Sequence, residues 1–223
     1  MKSKITIAID GPAASGKSTT AKILAEKLNY IYIDTGAMYR AATLAVLEKH
    51  IDVNDEKSVV TCVQQLKIEL KAGNHTYLNG RNVSREIRAT RINEVISTIS
   101  SYPQVRKKMV RLQQAMAKQG GVVMDGRDIG TVVLPNADLK VFMIASIEQR
   151  VERRLKELQQ SGENISFEAV KEEIANRDKL DSSRSTSPLK KASDARELDT
   201  SNLSIEDQVR IIEKWAWELI NHK

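Results

Sequence analysis

Apolar and polar positions along this chain switch between two periods. Ile5-Thr6-Ile7-Ala8-Ile9-Asp10 is β-branched and almost wholly apolar, the pattern of a strand buried on both faces of a parallel sheet. A glycine-bearing turn follows. Ala21, Ile23, Leu24, Ala25 and Leu28 then recur at helical spacing. Tyr30–Asp34 reads as a second strand, Ala37–Lys49 as a helix with Leu44, Ala45 and Leu47 on its apolar side, and Glu56–Leu66 as another helix. Across Lys67–Lys71 and His75–Leu78 the period becomes two. Asn79-Gly80, a strong hairpin signal, leads into Arg81–Val83, so a small antiparallel insert is expected at about 67–83. Helices are predicted over 90–101 and 103–118, parted at Pro103 and ended by Gly120-Gly121. Val122–Asp125 and Leu139–Ala145 are further buried strands. Ile147–Gln160 is a charged helix closed by Gly162, and Phe167–Leu180 a helix capped by Ser166. Residues 181–194 read as a loop, Arg196–Thr200 as the last strand, and Ser204–Ile220 as an amphipathic helix.

Strands alternating with helices define an α/β fold: a central parallel sheet of about five strands flanked by helices, with the antiparallel insert as an embellishment at one edge. The chain has 223 residues, 41% of them hydrophobic, which suffices for a core without covalent staples and suggests a single domain, 1–223. Cys62 is the only cysteine, so no intramolecular disulfide forms; its place in an amphipathic helix makes it a packing residue and favours a reducing, cytoplasmic setting. No stretch approaches the ~20 apolar residues of a membrane helix. Lys2 and Lys4 before an apolar run imitate a signal peptide, but Asp10 cuts that run short.

The net charge is +6 with a pI near 9.3, which points to an anionic partner: nucleic acid, a membrane surface or a phosphorylated small molecule. The location of the charge narrows the choice. Residues 81–111 hold eight cations (Arg81, Arg85, Arg88, Arg91, Arg106, Lys107, Lys108 and Arg111) against Glu86 and Glu94, which is the entire excess. Solvated helix faces are one reading of them and a field for anionic ligands is another. A nucleic-acid-binding ATPase would interleave stacking aromatics with these charges; only Tyr102 lies there, and aromatics make up 4% of the chain.

Gly11-Pro12-Ala13-Ala14-Ser15-Gly16-Lys17-Ser18 fits the phosphate-loop pattern G-x-x-x-x-G-K-[ST] without deviation, and Thr19 continues it into the helix. The chemistry requires this pattern. Loop amides converge on phosphate oxygens, the helix start adds partial positive charge, Lys17 reaches the outer phosphates, and the Ser18 hydroxyl suits Mg²⁺. A nucleoside triphosphate is therefore the expected ligand. No Asn-Lys-x-Asp guanine-reading motif is present, and an ATPase motor would be larger or multidomain, which leaves a small-molecule kinase.

Two more loops follow predicted strands, where open α/β sheets bind ligands. Asp34-Thr35-Gly36-Ala37-Met38-Tyr39-Arg40 ends with a guanidinium one turn into a helix, an anchor for a second phosphate. Asp125-Gly126-Arg127-Asp128 places Asp125 where a Walker-B carboxylate would hold Mg²⁺ or its waters. Arg127 and Asp128 carry opposite charges that either pair with each other or serve ligands. Arg177, Asp181 and Arg184 share one face if their helix persists; a salt-bridge ladder is the competing reading. Arg150, Arg153 and Arg154, among Glu148, Glu152 and Glu157, fit a solvated face equally well. His50, His75 and His222 lie outside all of these motifs, and Trp215 and Trp217 read as packing for the last helix.

Together, Gly11–Thr19, Asp34–Arg40, the run Asp125-Gly126-Arg127-Asp128-Ile129-Gly130-Thr131-Val132-Val133, and Arg177-Asp178 followed by Asp181 and Arg184 resemble the bacterial cytidylate kinase family in order and spacing, from residue 5 to about 200. The β insert matches as well. The resemblance implies a P-loop kinase with a monophosphate-binding arm over 35–105, a short helical lid over 148–185, and transfer of a phosphoryl group from ATP to CMP or dCMP with Mg²⁺ held by Ser18 and Asp125. It implies that Gly11, Pro12, Ala13, Ala14, Ser15, Gly16, Lys17, Ser18 and Thr19 bind ATP, and that Arg40 and Arg127 grip the CMP phosphate. Ser97, Arg106 and Asp128 would read cytosine, while Arg177 and Asp181 approach the sugar and phosphates, with Thr35 and Arg184 lining the same site. Lys17, Arg40, Arg127 and Arg177 would be the catalytic residues. Thr35 stands where the family often has Ser, and the hydroxyl is kept. The implied partners are these nucleotides, with no nucleic acid or membrane, and a cytoplasmic monomer.

Residue chemistry agrees. A carboxylate accepts from cytosine N4 and an arginine donates to N3 and O2, whereas uracil O4 would face the carboxylate's lone pairs. The acceptor is already an anionic phosphate, so no general base is needed and no histidine is expected in the motifs. A kinase for UMP and CMP jointly, for AMP or for shikimate remains the rival within the class. A catalytically inactive nucleotide-binding module is the rival outside it, opposed by intact Lys17, Ser18, Arg40, Asp125 and Arg127.

Overall fold

The computed structural model describes residues 4–71, 73–160, 162–163 and 165–222, so Lys2 of the leader-like start lies outside it. The elements run β1 (Thr6–Asp10), α1 (Lys17–Leu28), β2 (Ile31–Asp34), α2 (Thr35–Glu48), α3 (Glu56–Gln64), β3 (Ile68–Lys71), β4 (His75–Leu78), β5 (Arg81–Asn82), α4 (Thr90–Ser101) and α5 (Pro103–Ala117). They continue with β6 (Val122–Gly126), β7 (Leu139–Ile144), α6 (Ile147–Gln160), α7 (Phe167–Ser183), β8 (Arg196–Asp199) and α8 (Ile205–His222). A five-stranded sheet has the order β2-β6-β1-β7-β8. β1 pairs in parallel with β6 and β7, and β7 with β8. The expected α/β fold with its parallel sheet is therefore present.

The chain divides into two compact units. The first comprises residues up to Tyr32 and from Gly120 onward. Its core explains the apolar run of β1: Ile7 and Ile9 are fully buried among Ala21 and Leu24 of α1, Val141 and Met143 of β7, and Ile212 and Ala216 of α8. Burying each such aliphatic side chain contributes roughly 1.5–3 kcal/mol. Trp215 and Trp217 pack against this core, as expected. A satellite cluster of Val151, Leu158, Val170 and Ile174 joins α6 to α7, with Ala14 of the phosphate loop packed on it.

The second unit, Ile33–Gln119, has its own core around α2, where Met38, Leu44 and Val46 are fully buried. Cys62 belongs to that core. The antiparallel sheet β3-β4-β5 lies in this unit. Its β4–β5 turn has Asn79 at φ 50° and Gly80 at φ 85°, the two left-handed positions of a type I′ turn, which pairs Leu78 with Arg81. Between α4 and α5, Tyr102 is extended because it precedes Pro103, which itself takes the first position of α5.

Two features depart from expectation. The helix expected to end at Leu180 runs on to Ser183, so the loop begins only at Arg184, which is extended. The added turn is held by ion pairs of Asp181, described below, that are invisible in a local pattern. The Asp-Gly-Arg-Asp loop is followed by a π-helical turn, Ile129–Val133. The Val132 and Val133 amides both donate to the Asp128 carbonyl (2.9 and 3.2 Å), and the Leu134 amide to that of Ile129 (2.7 Å). None of the helices among the described residues is long and apolar enough to cross a membrane.

Gly11 connects β1 to the phosphate loop with φ +151°, and a Cβ there would lie 2.0 Å from the Met143 carbonyl oxygen in β7. Backbone of a central strand cannot move aside. Gly11→Ala is expected to destabilise the protein by roughly 3 kcal/mol, read as a lowered urea midpoint with unchanged slope. A midpoint within error of wild type would show that the approach is looser than this.

Candidate active site

The phosphate loop emerges from the central strand β1 and ends at Gly16, which starts α1 in a left-handed conformation with φ 90° and offers no side chain to cap it. The first-turn amides of α1 thus have no side-chain acceptor and are donors awaiting an anion. Lys17, 4% exposed, folds back on its own loop, donating to the Pro12 carbonyl and to Ser15 Oγ at 3.1 Å. Burial, then the nearby Arg127 cation, pull the Lys17 ammonium well below its ordinary 10.5, against the opposing influence of Asp125 and Asp10. A cation so placed is stabilised by an incoming anion.

Residues behind the loop hold it in shape. The Thr200 hydroxyl, fully buried at the end of β8, lies 3.0 Å from the Ser15 carbonyl and 3.0 Å from that of Ile144. Gln208 of α8 accepts from the Thr20 hydroxyl at 2.8 Å. Arg153 donates to the Thr200 hydroxyl (3.1 Å) and to its carbonyl. Arg150 and Asp178, an ion pair between α6 and α7, bracket one loop residue: Arg150 donates to the Ala13 carbonyl and the Ala13 amide donates to Asp178 Oδ1, each at 3.2 Å. Of the three arginines on α6, two therefore support the phosphate loop rather than forming a solvated face. Arg154 pairs with Glu157 at 3.2 Å.

Beside the loop, the Ser18 hydroxyl donates to Asp125 Oδ2 at 2.7 Å and the Tyr32 hydroxyl to Asp125 Oδ1 at 2.9 Å. The two residues expected to serve a metal are thus adjacent, and they offer hard oxygen donors. Tyr32 carried no signal in the sequence.

Arg127 leaves β6 and donates from Nε to Asp181 Oδ2 at 2.8 Å, so its carboxylate partner comes from α7, 54 residues away in sequence. Arg184 Nη1 donates to Asp181 Oδ1 at 3.3 Å. Arg177, half-buried on α7, makes no ion pair within 4 Å among the described residues; burial, then Arg127, pull it down to about 10. Burial alone would raise the Asp181 carboxyl, but Arg127, Arg177 and Arg184 outweigh it and hold the group below 3.8. Burial likewise opposes the charge on Arg127, and Asp181 overrides it, pushing the guanidinium above its ordinary value. Two guanidinium groups thus pair with this one carboxylate, and a third, Arg177, acts on it through charge alone. The Arg177–Asp181–Arg184 spacing is consequently more than a surface ladder. Asp128 is buried at the start of the π-helical turn. Asp10, at the end of β1, accepts from the Ile129 and Gly130 amides at 2.8 and 2.7 Å. A lone acid closing an apolar strand was the one available sign of it.

In the second unit, Asp34 accepts from the Ala37 amide at 2.8 Å, capping α2, and pairs with Arg88 at 2.9 Å. Thr35 is buried beside it. Arg40 donates to Asn93 Oδ1 at 2.6 Å and to the Ile87 carbonyl at 3.4 Å. Asn93 and Ser97 are one turn apart on α4, so they share a face with Arg40 close to it. Arg106, 2% exposed, donates to the Ser100 carbonyl at 3.0 Å and lies over the Tyr39 ring, 5.4 Å from its centroid. The positive stretch 81–111 is partly consumed within the unit. Arg81 pairs with Glu48, Arg88 with Asp34, and Lys108 donates to the carbonyls of Val63, Gln64 and Leu66 at the end of α3. His50, His75 and His222 are exposed.

A glycine-bearing loop between a central parallel strand and a helix, with an acid of the neighbouring strand beside its serine, defines a P-loop nucleotide-binding protein of the small-kinase fold. A gluconokinase from Sinorhizobium meliloti 1021 has this fold, with a TM-score of 0.52 at 12% identity, covering 100% of this chain and 97% of that one. The chain belongs to the cytidylate kinase family: the cytidylate kinase family model matches residues 7–217. Cytidylate kinases of Bacillus cytotoxicus and Bacillus thuringiensis are each 54% identical to it over 215 residues, which is 95% of this chain and 96% of theirs.

A carboxyl group whose folded pKa lies below its unfolded value contributes stability that is present above the unfolded value and is lost as pH falls through the folded one. Asp181→Asn leaves three cations around a neutral amide. It should cost about 3 kcal/mol of unfolding free energy at pH 7, and the deficit should shrink progressively below pH 3.8, where wild-type Asp181 also becomes neutral. Urea denaturation of both proteins across pH 2.5–7 (an experimental range of roughly the width the linkage requires) measures this. A deficit independent of pH would remove the charge from the explanation.

Proposed function

We propose that this chain transfers the γ-phosphoryl group of ATP to CMP or dCMP, yielding ADP and CDP or dCDP. The observation that carries the reading is 54% identity to cytidylate kinases over nearly the whole chain, with the phosphate loop and the Asp125–Val133 run intact. The loop amides and Lys17 take the ATP phosphates, the ammonium exchanging its present Pro12 and Ser15 partners for phosphate oxygens. Arg40 and Arg127 grip the acceptor phosphate. Three guanidinium groups around one carboxylate leave an excess of positive charge at Arg127, Arg177 and Arg184, which suits a phosphate dianion and the charge spread over the transferring group. Asp128 accepts from cytosine N4, with Ser97 and Arg106 contributing to base reading, Arg177 and Asp181 approaching the sugar and phosphates, and Thr35 and Arg184 lining the same site.

Mg²⁺ is the expected cofactor. Ser18 and Asp125 supply two oxygens, and no group of three His, Cys, Asp or Glu residues able to hold a metal occurs among the described residues. Phosphate and water oxygens would complete the shell, the arrangement Mg²⁺ favours. When bound, the ion neutralises phosphate charge. The acceptor phosphate is already ionised, so the protein supplies alignment, neutralisation and exclusion of water rather than a base. Residues 35–105 act as the monophosphate arm and 148–185 as the lid, and the nucleotides are the partners of a cytoplasmic monomer.

An ADP-release assay with Mg-ATP and CMP, dCMP, UMP, AMP or shikimate tests the reading. Turnover is expected with CMP and dCMP far above the others, and Lys17→Ala should lower kcat by at least about 10³-fold while leaving the circular dichroism spectrum unchanged. Absence of turnover with both cytidine nucleotides would overturn the proposal.

A further inference from the structure

Asp10 is a buried acid that the proposed chemistry does not use. It is 5% exposed, follows three buried positions of β1 and precedes Gly11 of the phosphate loop. Each of its two oxygens accepts a backbone amide: Oδ1 from Ile129 at 2.8 Å and Oδ2 from Gly130 at 2.7 Å. The Ile129 amide belongs to the peptide whose carbonyl is that of Asp128. That carbonyl is held from the other side by the Val132 and Val133 amides at 2.9 and 3.2 Å. One peptide plane is thus clamped at both its N–H and its C=O, and it is the plane from which the Asp128 Cα and carboxylate project. Gly130 makes the approach possible: a Cβ there would lie 3.3 Å from Asp10 Oδ2 and 3.1 Å from Cδ of Lys140, whose ammonium is itself anchored on Asp194.

Only a carboxylate accepts two converging backbone N–H groups with two oxygens; an amide side chain has one acceptor and would turn its NH₂ toward the second donor. The cost of burying this charge is visible: desolvation, with a smaller contribution from Asp128, raises Asp10 to about 6 against the two amide hydrogen bonds and Lys17. Such a group is a poor choice for mere packing.

We propose that Asp10 is a specificity-determining positioning residue, which aims the Asp128 carboxylate at the acceptor base by holding the Ile129 and Gly130 amides. The proposal rests on the reading of Asp128 as the group that accepts from cytosine N4. It ties the strand that carries the phosphate loop to the turn that reads the base. Loss of Asp10 should therefore be felt in which base is accepted.

The test compares CMP with UMP as acceptors, and follows KM for ATP separately, in Asp10→Asn, Asp128→Asn and the double variant. Asp10→Asn is expected to reduce the CMP-over-UMP ratio of kcat/KM by about tenfold or more, the size of a lost charge-assisted hydrogen bond, with KM for ATP within about twofold of wild type. If Asp10 acts through Asp128, the double variant should discriminate no worse than Asp128→Asn alone. Equal losses for ATP and CMP with unchanged discrimination would make Asp10 a support of the phosphate loop only and overturn the proposal, as would additive losses in the double variant. If Asp128→Asn itself leaves discrimination intact, base reading by Asp128 fails and the proposal falls with it. If Asp128→Asn loses discrimination while Asp10→Asn keeps it, the positioning role alone fails. Gly130→Ala crowds Asp10 Oδ2 at 3.3 Å and so disturbs the same clamp with both carboxylates retained; it decides the matter should Asp10→Asn not fold: lost discrimination is expected, and wild-type discrimination would overturn the proposal.

Discussion

A loop that binds phosphate through its backbone amides must keep those amides free of other partners, and so cannot spend them on holding its own shape. The rest of the first unit is arranged around that constraint. Thr200 and Gln208 reach the loop and the first turn of α1 from β8 and α8, and Arg150 with Asp178 brackets Ala13 from α6 and α7. The Met143 carbonyl lies where a side chain on Gly11 would be. Every one of these supports uses a carbonyl, a hydroxyl or the single Ala13 amide, and leaves the helix start open to an anion. The loop's shape is held by neighbours that are polar in the right places.

Charge follows the same logic at Asp181. A buried carboxylate is costly alone, and three buried or half-buried guanidinium groups are costly alone; together they are mutually tolerable with cationic charge to spare. Positive charge in surplus at a buried site favours an anionic ligand there. The same pairs hold α7 one turn longer than its apolar pattern suggests, so buried charge also sets a helix end.

The basic stretch 81–111 resolves into separate tasks. Arg81, Arg88 and Lys108 neutralise or cap elements of their own unit, and Arg106 is buried against Tyr39 and Ser100. Arg85, Arg91, Lys107 and Arg111 stay exposed. Half of the cations that suggested a polymeric anion are thus engaged within their own unit, and the family places the protein among enzymes of single nucleotides.

The alternation of apolar strands with amphipathic helices determined the α/β class, and local rules set the I′ turn at Asn79-Gly80 and the break at Tyr102-Pro103, because each depends on residues adjacent in sequence. The phosphate loop was legible for the same reason: its ligand groups are consecutive backbone amides. Tertiary structure alone decided that Arg127 answers to Asp181 rather than to its neighbour Asp128, that Arg150 and Arg153 serve the loop, that Tyr32 joins Ser18 on Asp125, and that Asp10 holds a π-helical turn over a hundred residues away. Buried charges choose partners by proximity in space, and spacing along the chain carries no record of which distant carboxylate or carbonyl will be within 3 Å.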